Sequence, residues 1–147
     1  MSEHIAEVNW LSTSNQEDEN TYSRNHLVTL SGGQQLKGSS APEYKGDPDR
    51  VDPEQLLISA LASCHMLTFL AIAELKKYQV ESYNDKATGY LEKGESGRPE
   101  VTRILLQPRI IFSGDKHPDA NELKRMHESA HKNCFIANSI KAKVELV

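Results

Sequence analysis

Residues 55–73 contain no Asp, Glu, Lys or Arg, and most positions between Leu56 and Leu75 are apolar. Such a run predicts a long helix, and a helix that is apolar on nearly all sides must be covered on nearly all sides. Its start is marked by Asp52-Pro53-Glu54-Gln55. Asp52 suits the N-cap, Pro53 the first helical position, and Gln55 can close a capping box. The helix is expected to run to about Tyr78. A chain of 147 residues has little else with which to surround it, so a second subunit lying along the helix is the simplest cover.

The rest of the chain alternates more than it clusters. Residues 4–10 alternate loosely and predict a short strand, followed by a polar loop over 12–20. Tyr22 to Leu30 predicts a better strand, with Tyr22, Arg24, His26, Val28 and Leu30 on one face. Gly32-Gly33 signals a hairpin turn and Gln34 to Lys37 a short return strand, before a Gly/Ser/Pro-rich loop from Gly38 to Val51. Glu81–Glu92 and Val101–Phe112 predict two strands joined by the polar turn Lys93–Pro99, with Pro108 marking an edge or a bulge. Pro118-Asp119 opens a second helix ending near Cys134, and Ser139–Val147 alternates as a final strand. The order β-β-β-α-β-β-α-β predicts an α+β fold, mostly antiparallel, in a single domain over 1–147.

Composition narrows the function. Mean hydropathy is −0.58 and net charge −4, with a pI near 5.9, so no basic surface is offered to nucleic acid. The first ten residues lack the apolar core of a secretory signal. With two cysteines, a reducing cytoplasmic location is expected, where a disulfide is more often transient and catalytic than structural. The charge-free run could cross a membrane by length. Ser59, Ser63, Cys64, His65 and Thr68 interrupt it, however, and a lone span would leave them in lipid, so a core helix is expected and no membrane partner.

Chemistry centres on the two thiols. Cys64 lies in the middle of the apolar helix, and Cys134 closes the second helix. A buried thiol serving only as a small hydrophobe is common, and burial alone raises its pKa and silences it. A reactive Cys64 needs a positive partner. His65 is adjacent in sequence, but neighbouring helix residues point about 100° apart. Arg24, mid-strand beside His26 and Val28, is the candidate guanidinium, and Arg50 in the loop before the helix is the second choice. Glu54 can simply complement the helix dipole. It precedes Cys64 by ten residues, a rise of about 15 Å, so an acid acting on Cys64 must come from another subunit. His127, His131 and Cys134 fall at i, i+4 and i+7 on one face. They could surround a resolving thiol, or ligate zinc with Cys64 as the fourth ligand. A small-molecule carrier whose cysteines only pack is a third possibility.

Two segments narrow these alternatives. Val51-Asp52-Pro53-Glu54-Gln55-Leu56-Leu57, then Ser59-Ala60-Leu61-Ala62-Ser63-Cys64-His65, resembles the family of osmotically inducible protein C and the organic hydroperoxide resistance proteins. Ala130-His131-Lys132-Asn133-Cys134-Phe135-Ile136-Ala137-Asn138-Ser139 looks like that family's second-cysteine segment. The resemblance implies an intertwined homodimer with two long helices packed centrally, and metal-free, cofactor-free reduction of organic hydroperoxides by thiols. Cys64 then takes the peroxidatic position, Cys134 the resolving one, Glu54 the acid position and Arg24 the family arginine. A Cys64–Cys134 disulfide would be reset by an external dithiol. The chain departs from the family pattern in two places. His65 follows the first cysteine, where many members carry an apolar or small residue, and Phe135 follows the second in place of a common proline.

Overall fold

The computed structural model describes residues 1–147, which divide into two units, Met1–Leu56 and Leu57–Val147. The first unit is built on an antiparallel sheet of β1 (Ala6–Asn9), β2 (His26–Leu30) and β3 (Gln35–Gly38), with β2 central. The β2–β3 turn uses the predicted glycine pair. Gly33 has φ 81°, a left-handed conformation that glycine adopts without a Cβ clash. Val51 lies alongside the end of β3 in an isolated parallel bridge with Gly38.

The predicted strand from Tyr22 is shorter than its alternation suggests. Only His26–Leu30 joins the ladder, which leaves Arg24 in the irregular segment before β2 instead of mid-strand. Local hydrogen bonds account for the shortening. The Ser23 hydroxyl accepts from the Asn25 amide at 3.1 Å, and His26 Nδ1 lies 2.9 Å from the Arg24 carbonyl. Such side-chain bonds give the backbone an alternative to strand pairing.

Helix α1 (Pro53–Leu75) starts as the sequence predicts. Asp52 Oδ1 accepts from the Gln55 amide at 2.8 Å, and Gln55 Oε1 accepts from the Asp52 amide at 3.0 Å. The helix ends three residues before the expected Tyr78. Lys77 takes φ 65°, and the amides of Tyr78 and Lys77 return to the carbonyls of Ala73 and Glu74. That is a Schellman stop with lysine at the left-handed position.

In the second unit the two long predicted strands are each broken once. They form β4 (Gln79–Asp85) and β5 (Thr88–Lys93), then β6 (Pro99–Leu106) and β7 (Pro108–Ser113). β4 pairs with β7 and β5 with β6, both antiparallel. The break falls where Pro108 cannot donate and the Asp85 carboxylate takes the Gln107 amide at 2.7 Å in place of a ladder partner. The α+β class and the element order hold, with each of those two runs subdivided. β8 (Lys143–Leu146) lies parallel to β6, the one parallel pair in a mostly antiparallel set.

Helix α2 (Ala120–Asn133) is capped by Asp119, whose Oδ1 accepts from the Glu122 amide at 2.7 Å. It packs with α1 around two apolar clusters. Leu61, Ile104, Leu106 and Cys134 form one, and Phe69, Ala73, Met126 and Ala130 form the other. The buried stripe of α1 is Leu61, His65, Phe69 and Ala73, every fourth residue, so His65 sits between the two clusters. Gly89 on β5 lets Ile58 of α1 approach: a Cβ there would stand 2.4 Å from Ile58 Cδ1. α1 is long and apolar enough to span a membrane, but this stripe makes it a core helix of the fold.

Candidate active site

Cys64 and Cys134, 70 residues apart in sequence, meet in the second unit. α1 presents Cys64 beside its buried stripe, and α2 delivers Cys134 as its C-cap. Both are free thiols. Cys134 is sealed from solvent, whereas Cys64 keeps partial exposure.

Their environments push the two thiols apart. Burial raises the pKa of Cys64. Hydrogen bonding from the Cys134 thiol, from the backbone amides of Ile136 and Phe135, and from the Thr68 hydroxyl outweighs it, so the net shift is downward. Cys134 shifts upward, through burial first and then through its bond to Cys64; the Ala137 amide, 3.4 Å from Cys134 Sγ, only partly offsets this. Cys134 also ends a helix, where the dipole disfavours a thiolate. The surroundings therefore favour ionisation at Cys64 over Cys134. None of this uses a guanidinium.

Arg24 belongs to the first unit. Its guanidinium lies 3.8 Å above the Tyr22 ring and donates to the Tyr22 carbonyl and, at 3.2 Å, to Thr21 Oγ1. It lines an apolar hollow of about 490 Å³ with Val8, Trp10, Tyr22, His26 and Pro53. Arg50, in the same unit, donates to the His26 carbonyl at 3.4 Å and pairs with Asp47 at 3.7 Å, a brace between the loop and the start of β2. Glu54 stands in the first turn of α1, where its charge complements the helix dipole.

The histidines do not assemble as a zinc site. No three His, Cys, Asp or Glu side chains converge for a metal, and His127 turns to His65 instead of to Cys134. His65 Nε2 and His127 Nδ1 are 3.0 Å apart, and the ring planes lie within 8°. The 5.3 Å between ring centroids equals that N–N distance extended by a ring radius at each end, so the imidazoles meet edge to edge in one plane. Phe69 stacks on the His127 face at 4.6 Å. Burial first, then the neighbouring His127 and His131, push the His65 pKa down to about 4, and burial lowers that of His127. The sequence held a signal for this pair, because His65 falls on the Leu61–Phe69–Ala73 spacing and a polar ring on a buried stripe calls for a partner. The donor role of the Ile136 amide left no mark on residue types.

Known proteins share this fold. The family model described as OsmC-like protein matches residues 46–147. An OsmC-like protein of unknown function from Vibrio cholerae is 41% identical, with 100% of this chain and 99% of that one covered and a TM-score of 0.93. The organic hydroperoxide resistance protein OhrB of Bacillus subtilis superposes with a TM-score of 0.69 over 99% of this chain and 98% of its own, at 17% identity, a likeness of fold. The uncharacterized protein YmaD of Bacillus subtilis is 25% identical over 125 residues, 84% of this chain and 83% of that protein.

Proposed function

The chain belongs to the OsmC-like protein family, and from that premise we propose that it is a cysteine peroxidase that reduces organic hydroperoxides to alcohols. The observation that carries this reading is the meeting of a partly exposed Cys64, whose hydrogen-bond donors lower its pKa, with a sealed Cys134, whose burial raises its own. A hydroperoxide can reach the first thiol, and the second waits beside it.

In this reading the Cys64 thiolate attacks the terminal peroxide oxygen. The O–O bond breaks, its electron pair leaves with the alkoxide, and the alkoxide takes a proton to become the alcohol. Cys64 is left as a sulfenic acid. The Cys134 thiol then displaces hydroxide from that sulfur, water is released and a Cys64–Cys134 disulfide forms. An external dithiol in the cytoplasm returns both thiols by exchange. Arg24 orients the peroxide and favours the thiolate, and Glu54 fixes Arg24. In this reading both come from the other subunit of a homodimer built along α1. Support for that dimer lies in the apolar side chains α1 leaves outside the core, among them Leu67, 62% exposed in the single chain.

The test is stoichiometric. Reduced protein mixed with one equivalent of tert-butyl hydroperoxide is expected to yield one equivalent of tert-butanol and lose both titratable thiols. A peptide linking Cys64 to Cys134 is then expected under non-reducing digestion. Unchanged hydroperoxide with both thiols intact would refute the reading.

A further inference from the structure

We propose that the His65–His127 hydrogen bond is a clasp that sets the register of α1 against α2, and that it thereby holds Cys64 and Cys134 at disulfide-forming range. The inference rests on the reading that these two thiols form a redox disulfide; His65 and His127 act on them by position alone.

Directional contacts lie at the two ends: Lys76, just past α1, pairs with Glu122 of α2 at 2.9 Å, and Cys64 hydrogen-bonds to Cys134 and to the amides of Ile136 and Phe135 just past α2. Immediately around the His65–His127 pair the packing is apolar, with Leu61 and Cys134 in the cluster on one side and Phe69, Ala73, Met126 and Ala130 in the cluster on the other. Apolar contact is non-directional, so clusters of this kind tolerate small slides of one helix along another. A linear bond between two coplanar rings does not, because its strength falls steeply with angle and distance. His65 is 1% exposed and its Nδ1 has no partner, so releasing His127 would leave a wholly unpaired imidazole in the core. Phe69 fixes the His127 ring plane from its face. A buried polar contact that costs stability but fixes register has a physical precedent in helix pairs.

The clasp is well placed to act on the thiols. His65 adjoins Cys64 on α1. His127 precedes Cys134 by seven residues, two turns on the same face of α2, a rise of about 10 Å. A regular helix transmits a shift over that length, and a disulfide tolerates only a narrow range of separations.

The test is the equilibrium of the Cys64–Cys134 disulfide in glutathione buffers, which needs no peroxide. His127→Phe keeps an aromatic ring over Phe69 but removes the bond, and is expected to lower the effective concentration of the two thiols at least about tenfold, a shift of about 30 mV. His127→Gln restores a polar group within reach of His65 and is expected to recover most of that loss. A residue that merely stabilises the fold would affect the reduced and oxidised forms alike and leave this potential unchanged. A folded His127→Phe variant with the wild-type potential would overturn the proposal. If that variant fails to fold, long-range proton–nitrogen NMR of the wild type decides. A proton shared between His65 Nε2 and His127 Nδ1 supports the clasp, and two independently exchanging rings overturn it. Wild-type protein that forms the disulfide in glutathione but makes no alcohol from hydroperoxide refutes the peroxidase reading alone.

Discussion

Cys134 is wholly buried against Cys64, which itself stays partly open to solvent. The asymmetry fixes which thiol meets a reagent first. With limiting iodoacetamide, modification is expected at Cys64 before Cys134. Cys64→Ser is expected to abolish hydroperoxide consumption, and Cys134→Ser to allow one turnover that ends in a sulfenic acid trapped by dimedone. Faster labelling of Cys134 would reverse the two roles.

The Phe135 amide is one of the donors that lower the Cys64 pKa, and a proline at this position would not supply it. Cys134 is already extended, at ψ 116°, a conformation that tolerates a following proline. The Phe135 side chain is 82% exposed, so losing it disturbs little packing. Phe135→Pro is therefore expected to raise the Cys64 pKa, because one hydrogen bond to the charged form is lost. The pH profile of Cys64 alkylation reads the shift directly. An unmoved profile would mean that the other donors suffice.

The depressed pKa of His65 makes stability depend on pH. In the unfolded chain the ring titrates near its ordinary value of 6.5, in the fold at about 4. Above the unfolded value both states are neutral and stability is full. As pH falls below it, the unfolded chain takes up the proton first and stability is lost, until the folded ring also titrates near its own, lower value. Unfolding free energies from urea melts are expected to fall between neutrality and pH 5, by on the order of 2 kcal/mol. His65→Leu with His127→Leu is expected to flatten most of that dependence. A slope unchanged in the double variant would assign it to other groups.

The start of α1 gives a local counterpart. Asp52→Ala removes the side-chain acceptor of the Gln55 amide and is expected to cost about 1 kcal/mol in denaturant melts, with Cys64 reactivity unchanged. This cap was legible in the sequence because both its bonds span three residues. The Asp119 cap of α2 and the Gly33 turn were legible for the same reason. What was hidden depends on residues far apart. The break between β4 and β5 rests on Asp85 reaching the Gln107 amide, and the helix clasp joins residues 62 positions apart. Arg24 was misplaced for a subtler reason. Its alternation suits a strand, but Ser23 and Asn25 satisfy the backbone locally and the ladder starts only at His26. Of the candidate site, the two cysteines could be read from their segments, whereas the Ile136 amide that helps to lower the Cys64 pKa could not.

The last prediction concerns whose Arg24 and Glu54 serve a given Cys64. Within one chain the Arg24 guanidinium is held by Thr21 and Tyr22, and the Cys64 thiol is already favoured by donors near its own helix pair. Under the proposed function, Arg24 adds a charge that orients the peroxide, so Arg24→Ala is expected to slow the hydroperoxide-dependent step at least about thirtyfold, about 2 kcal/mol, and to leave disulfide reduction unchanged. Mixed dimers assign the donor subunit. One subunit carries Cys64→Ser with Arg24 and Glu54 intact, and the other carries Arg24→Ala and Glu54→Ala with Cys64 intact. If the site is shared across a two-fold dimer, one complete site forms and about half the wild-type activity is expected. If each chain completes its own site, neither subunit is whole and the mixed dimer is inactive. Full wild-type activity from the Arg24→Ala, Glu54→Ala homodimer would remove both residues from the mechanism. The amides of Phe135 and Ile136, with Thr68 and the Cys134 thiol, would then be the groups that sustain the reactive thiolate.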